Sequence, residues 1–245
     1  MGRTLALAYG VASYLVFLAS FLYAIGFVGN LFVPKSIDSG MRGSLPVAVF
    51  ADTLLLALFA IPHSVMARPA FKRWSTRIVP PAVERSTYVL TSSLLLGLLY
   101  WQWLPIPSVL WTVTNPKGRF FLHVVFWVGW AIVLLSTFLI SHFDLFGLRQ
   151  VYLHASARPY TPVGFKYRGL YRYVRHPIML GFLLAFWATP TMTAGHLLFA
   201  GATTAYILIA LQLEERDLVS FHGEQYRAYQ QQVRMLLPFP KTRKP

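Results

Sequence analysis

The stretch Leu5-Ala6-Leu7-Ala8-Tyr9-Gly10-Val11-Ala12-Ser13-Tyr14-Leu15-Val16-Phe17-Leu18-Ala19-Ser20-Phe21-Leu22-Tyr23-Ala24-Ile25-Gly26-Phe27-Val28-Gly29-Asn30-Leu31-Phe32-Val33 runs without a single charged side chain. A helix of about 20 apolar residues crosses the hydrocarbon core of a bilayer. The run exceeds that length, is too long for a signal-peptide core and lacks a clear cleavage pattern, so it is read as a retained first helix. Pro34 is expected to end it, because a proline ring cannot continue the backbone ladder. Working outward, Pro46–Met66, Glu84–Leu104 and Phe120–Ile140 repeat the pattern. Two shorter apolar segments follow, Ile178–Ala188 and Leu197–Leu213, and read together as a hairpin. The expected fold is all-α: a polytopic integral membrane helical bundle with four spanning helices, a C-terminal helical hairpin (five to six membrane segments in all) and a cytoplasmic helical tail to about Gln232.

Composition supports the bilayer as solvent. Hydrophobic residues make up 56% of the chain and charged residues 12%, where a soluble domain is about a quarter charged. The formal charge of +14 does not point to nucleic acid, because the cations sit in loops between apolar runs rather than on a polar face. With the N-terminus cytoplasmic, the two opposite loops hold only Lys35, Arg42, Lys117 and Arg119 of the 22 basic residues, as the positive-inside rule requires. Both termini are then cytoplasmic. The absence of cysteine excludes disulfides, thiolate nucleophiles and cysteine metal sites. The histidines are dispersed without a ligand spacing, so no metal is expected. Asp52, in the second apolar segment, is read as a hydrogen-bond partner for a neighbouring helix.

The longest polar connection, Gln150 to His176, carries Arg158, Lys166, Arg168, Arg172 and Arg175 and no acid. It ends in Tyr171-Arg172-Tyr173-Val174-Arg175-His176-Pro177-Ile178-Met179-Leu180-Gly181. Pro177 suits the first turn of a helix, which places His176 at the N-cap. Arg175, Arg172 and the positive end of that helix make a corner attractive to an anion such as a carboxylate. Gly181 allows a ligand or a second helix to approach closely. The hairpin returns Glu214 and Glu215 to the same side, where carboxylates accept hydrogen bonds from ribose hydroxyls or an ammonium. Tyr171, Tyr173, Tyr226 and Tyr229 offer faces for a purine or for a cation–π contact with a sulfonium. An anion site, paired acids and aromatic walls suit S-adenosyl-L-methionine. The same residues also fit interface anchors and a solvated helix end, and the pattern alone leaves both readings open.

Tyr171–Gly181, followed by Glu214-Glu215-x-x-Leu218 and Gly223-x-x-Tyr226-x-x-Tyr229, resembles the isoprenylcysteine carboxyl methyltransferase superfamily. Within it, His63-Ser64-Val65-Met66-Ala67 before a basic loop looks like the NnrU-type branch. His142-Phe143-Asp144-Leu145-Phe146-Gly147-Leu148-Arg149-Gln150, combined with Arg175–Gly181, is most similar to its bacterial methanethiol-methylating members. The resemblance implies a membrane methyltransferase of the bacterial inner membrane that uses S-adenosyl-L-methionine, releases S-adenosyl-L-homocysteine and converts methanethiol to dimethyl sulfide. Residue by residue, it maps Tyr171, Tyr173, Arg175, His176, Pro177, Leu180, Gly181, Glu214, Glu215, Tyr226 and Tyr229 onto cofactor binding. Met179, and Val233-Arg234-Met235-Leu236-Leu237-Pro238, depart from the superfamily pattern at positions tied to a prenyl-cysteine acceptor.

The expected organisation is one membrane domain, 1–245, with a four-helix frame at 1–142 and the cofactor loop, hairpin and tail at 143–245. A free thiol is mostly protonated at neutral pH, so a nearby base would help methyl transfer. His142 and Asp144 at a helix exit are the candidates for base and orienter, with His176 as the alternative base. His63, Phe143 and Arg149 are the substrate-side candidates. The expected partners are a small volatile thiol and the lipid bilayer, with no nucleic acid and no obligate protein partner. The competing readings are an isoprenoid or lipid acceptor, a nicotinamide-dependent reductase on a related fold, and a non-enzymatic membrane protein of denitrification or respiration.

Overall fold

The computed structural model describes residues 1–164 and 167–238. Lys166, one of the cations of the long polar connection, lies outside the described residues. The helices are α1 (Arg3–Gly29), α2 (Leu45–Ala67), α3 (Pro69–Ser75), α4 (Pro81–Gln102), α5 (Pro116–Ile140), α6 (His142–Leu145), α7 (Leu148–Ala155), α8 (Pro177–Trp187), α9 (Ala194–His222) and α10 (Glu224–Gln232). A 3₁₀ turn spans Gly169–Arg172, and two short strands, β1 (Val109–Thr112) and β2 (Thr191–Thr193), pair antiparallel.

Among the described residues, four helices are long and apolar enough to cross a membrane: α1, α2, α5 and α9. Their outward sides carry large apolar groups in the open, among them Leu15, Leu22, Phe50, Phe121 and Leu135. In water such a surface would be costly, whereas lipid tails solvate it. The chain is an all-α polytopic integral membrane protein, as its apolar runs lead one to expect.

Element boundaries differ from the sequence expectation in instructive ways. α1 stops at Gly29 and not at Pro34, because Asn30 turns left-handed (φ 54°) and the N–H groups of Asn30 and Leu31 reach back to Gly26 O. That is a helix-ending geometry in its own right, four residues before the proline. α9 runs unbroken through Glu214-Glu215 to His222, where a polar tail was expected to begin. The break falls instead at Gly223, whose φ of +57° starts a new direction for α10.

The chain forms two compact units, each discontinuous in sequence. The first comprises 1–112, 143–162 and 191–203. In it α1 packs on α4 and α7, and α4 also packs on α2. α4 is long enough to span but carries Glu84 and Arg85 and the buried Ser86, Ser92 and Ser93. The Ser92 and Ser93 hydroxyls donate back to Tyr88 O and Val89 O, so their polarity is absorbed within the helix. Buried Asp52 accepts from Leu104 N–H at 2.9 Å, just past the end of α4, which is the tie to a neighbouring helix expected of it.

The second unit comprises 113–142, 163–190 and 204–245, of which 165, 166 and 239–245 lie outside the described residues. Its scaffold is the contact of α5 with α8. Gly129 and Gly181 face each other there: a Cβ on Gly181 would stand 2.6 Å from Gly129 O. Gly181 therefore admits a helix, the second of the two options its position allowed. α8 has 11 residues, about 16 Å of helix, and is too short to cross by itself.

Candidate functional site

Glu215 is the centre of the second unit's polar chemistry. It lies near the end of α9, with 7% of its surface exposed. Its Oε1 accepts from Arg175 Nε at 2.8 Å, His176 Nε2 at 2.6 Å and Tyr226 OH at 2.7 Å. Its Oε2 accepts from Arg175 Nη2 at 2.9 Å and from the Gln230 amide. A carboxylate offers about four lone-pair sites, so this one is saturated by its own protein. The donors come from the segment before α8 and from α10, and Glu215 ties both to α9.

Arg175 is equally occupied. Two of its nitrogens grip Glu215 in a bidentate pair, and Nη1 donates to Gln230 O and Val233 O at the end of α10. The backbone completes the closure. Arg175 N donates to Arg234 O and His176 N to Met235 O, and Val174 bridges to Arg234 in parallel. The expected anion corner is thus a fastened joint, its arginine held internally.

His176 does sit at the N-cap of α8, with Pro177 at the first helical position. Its ring turns toward the glutamates: Nε2 meets Glu215, and Nδ1 lies 3.7 Å from Glu214 Oε2. Glu214 differs from its neighbour, since 43% of its side chain is exposed. Leu180 follows one turn into α8, its N–H donating to His176 O.

The tyrosines divide. Tyr226 and Tyr229 form a buried cluster with Val233, packed by Leu218 and Val219. Tyr226 OH serves Glu215, Tyr229 OH donates to Tyr171 O, and Tyr171 OH donates to Ser136 O. Burial pushes all three phenols above their ordinary value, and the carboxylate of Glu215 adds to this at Tyr226. They therefore remain protonated donors, which is what their partners need. In place of open faces they present core rings. Tyr173, 65% exposed, is the member of the four whose ring is open.

His142, buried, shares a hydrogen bond with Thr137 Oγ1 at 2.8 Å through Nδ1 and stacks on Phe138 with centroids 4.2 Å apart. Burial holds its imidazole below the ordinary histidine range. Asp144 has other partners, in the first unit. Arg149 Nη1 donates to its Oδ1 at 2.9 Å and Tyr160 OH to its Oδ2 at 3.3 Å. Thr137 is thus the group that orients His142, while Asp144 anchors Arg149. Arg149 also holds Thr161 through both its carbonyl and hydroxyl oxygens. Phe143, in the same unit, is 55% exposed. His63 forms a third cluster, with Ser92 Oγ 3.0 Å from Nδ1 and Tyr88 OH 3.0 Å from Nε2.

Beside the Glu215 network lies a cleft of about 520 Å³, lined by Arg175, Gln212, Glu215, Arg216, Val219, Gln230 and Met235. Its size is that of a small-molecule site. Gln212, Glu215, Arg216 and Val219 recur at helical spacing and so share one face of α9. Sequence reading missed Gln230, Gln212, Arg216 and the strap Val233–Met235. The spacing 212-215-216-219 was a signal available in the sequence. The strap carried none, because it acts through backbone carbonyls. Among the described residues, no cluster of three or more His, Asp or Glu side chains could hold a metal.

Comparison with known proteins shows what the chain resembles. The sequence profile of the family described as "NnrU protein" matches residues 53–232. A protein of Mycobacterium tuberculosis named methanethiol S-methyltransferase is 60% identical over 240 residues, covering 98% of this chain and 98% of that relative. Another of that name, from Crocosphaera subtropica, is 55% identical and covers 98% of this chain and 94% of its own. Nurim of Rattus norvegicus is 32% identical over 73% of this chain and 71% of its own length. No solved structure matches.

Proposed function

We propose that this chain, which belongs to the NnrU protein family, is a membrane-embedded methyltransferase that methylates methanethiol to dimethyl sulfide with S-adenosyl-L-methionine as donor. The observation that carries the acceptor is the near-full-length similarity, at 60% and 55% identity, to two proteins named for that reaction. A charged, nucleoside-sized donor suits a cleft of about 520 Å³ whose rim mixes charged, amide and apolar groups. When bound, the donor supplies an already activated methyl group on a sulfonium. The thiol sulfur takes that methyl and gives up its proton, and S-adenosyl-L-homocysteine leaves.

The protein's own part is positioning and proton removal. Glu215 fixes Arg175, His176, Tyr226 and Gln230 in one geometry, so the cleft is formed before anything enters it. Glu214, half-open beside His176, remains available to a ligand ammonium or hydroxyl. His142, whose imidazole is neutral at pH 7 through burial, takes the thiol proton, with Thr137 holding its ring. The protein lies in the bacterial inner membrane with both termini cytoplasmic, since the loops between its helices concentrate their cations on one side.

The test is headspace detection of dimethyl sulfide from purified protein given methanethiol and S-adenosyl-L-methionine. Dimethyl sulfide that requires all three components is the expected result. Donor turnover with no volatile product, and a methylated lipid in its place, would overturn the acceptor assignment.

A further inference from the structure

Two arginines border the cleft, and they are in opposite states. Arg175 is committed: its guanidinium contacts Glu215 twice and two carbonyls at the end of α10. Arg216 is exposed, and among the described residues it has no hydrogen-bond or ion-pair partner. Gln212, one turn earlier on the same face, likewise has none. Val219 and Met235 supply the apolar part of the wall.

Resting on the donor reading above, we infer that Arg216, with Gln212 beside it, receives the carboxylate of the donor's amino-acid end, and that Arg175 does not touch the ligand. A guanidinium presents a planar fork that matches a carboxylate with two parallel hydrogen bonds, and only an arginine with unspent donors can do so. The spacing of four residues puts the Gln212 amide within one helical turn of that fork. Glu215 lies on the same stripe but its lone pairs are filled, so it attracts neither the carboxylate nor the ammonium of the ligand. Arg175 and Glu215 are then positioning residues, and the two side chains that read the ligand's carboxylate are Arg216 and Gln212.

The experiment is calorimetric titration of the detergent-purified full chain with two ligands. S-adenosyl-L-homocysteine carries the amino-acid end, and 5′-methylthioadenosine has the same nucleoside and thioether without it. Arg216→Gln is expected to weaken the first by about tenfold or more, the effect of losing a charge-assisted pair, and to leave the second within about twofold. Arg216→Lys keeps the charge but loses the fork and should fall between. Arg227→Gln, an exposed arginine paired with Glu224 outside the cleft, controls for net charge and should change neither. Equal weakening of both ligands by Arg216→Gln, or weakening of neither, would overturn the inference while leaving the donor reading standing. Failure of the unmodified chain to bind S-adenosyl-L-homocysteine brings down both.

Discussion

The two units each bury a polar cluster, and they build it on opposite principles. In the second, Glu215 is a charged hub that takes five donors from Arg175, His176, Tyr226 and Gln230. In the first, His63 is held by the hydroxyls of Tyr88 and Ser92, uncharged partners on α4. A carboxylate out of water is tolerable only with a complete donor set, whereas an imidazole needs one or two hydrogen bonds. The hub thus demands elements from three places in the sequence at once, and the His63 cluster demands two adjacent helices. The first arrangement ties three elements together. The second fastens a pair of helices.

That contrast can be broken most directly at its centre. Glu215→Ala should abolish methyl transfer and lower stability by about 3–5 kcal/mol, because it strands the buried Arg175 charge. Thermal unfolding in detergent and the dimethyl sulfide assay read the two effects. Next, Tyr226→Phe removes a donor to a charged acceptor and should cost about 1.5–3 kcal/mol. Tyr88→Phe, the matched deletion in the other unit, removes a donor to a ring nitrogen and should cost only about 0.5–1.5 kcal/mol. Equal costs for the two tyrosines would erase the distinction between hub and cluster.

The smallest effect is a pH dependence. Burial lowers the folded-state value of His142 below that of the unfolded chain, about 6.5. Between those two values the unfolded chain binds the extra proton, so the stabilisation is complete above about pH 6.5 and is lost as pH falls below it. His142→Asn should flatten that part of the curve of unfolding temperature against pH. A variant curve parallel to the unmodified one would remove His142 from the explanation.

Much of the fold was legible because lipid imposes a simple length rule on apolar runs. α1, α2 and α5 were located within a few residues by that rule. α9 was under-read, since its last turns carry Glu214 and Glu215, which look like a helix end until Arg175 and His176 are seen to hydrogen-bond Glu215. β1 and β2 were missed, being four and three residues long and paired across about eighty positions of sequence. At the site, the residue types and their order were legible and their roles less so. Arg175 reads as an anion receptor in sequence because its pairing with Glu215 spans forty positions, and nothing local announces it.

The sequence by itself determined the solvent this protein folds in, the long apolar helices α1, α2 and α5 and the resemblance carried by Tyr171–Gly181 and Glu214–Tyr229. These follow from composition and local order, which the chain displays openly. Only the tertiary structure decided which charges are spent and which remain. Whether an arginine binds a ligand or a glutamate depends on the acceptors that arrive beside it. For Arg175 those are Glu215, Gln230 and Val233, delivered by the closure of α9 and α10.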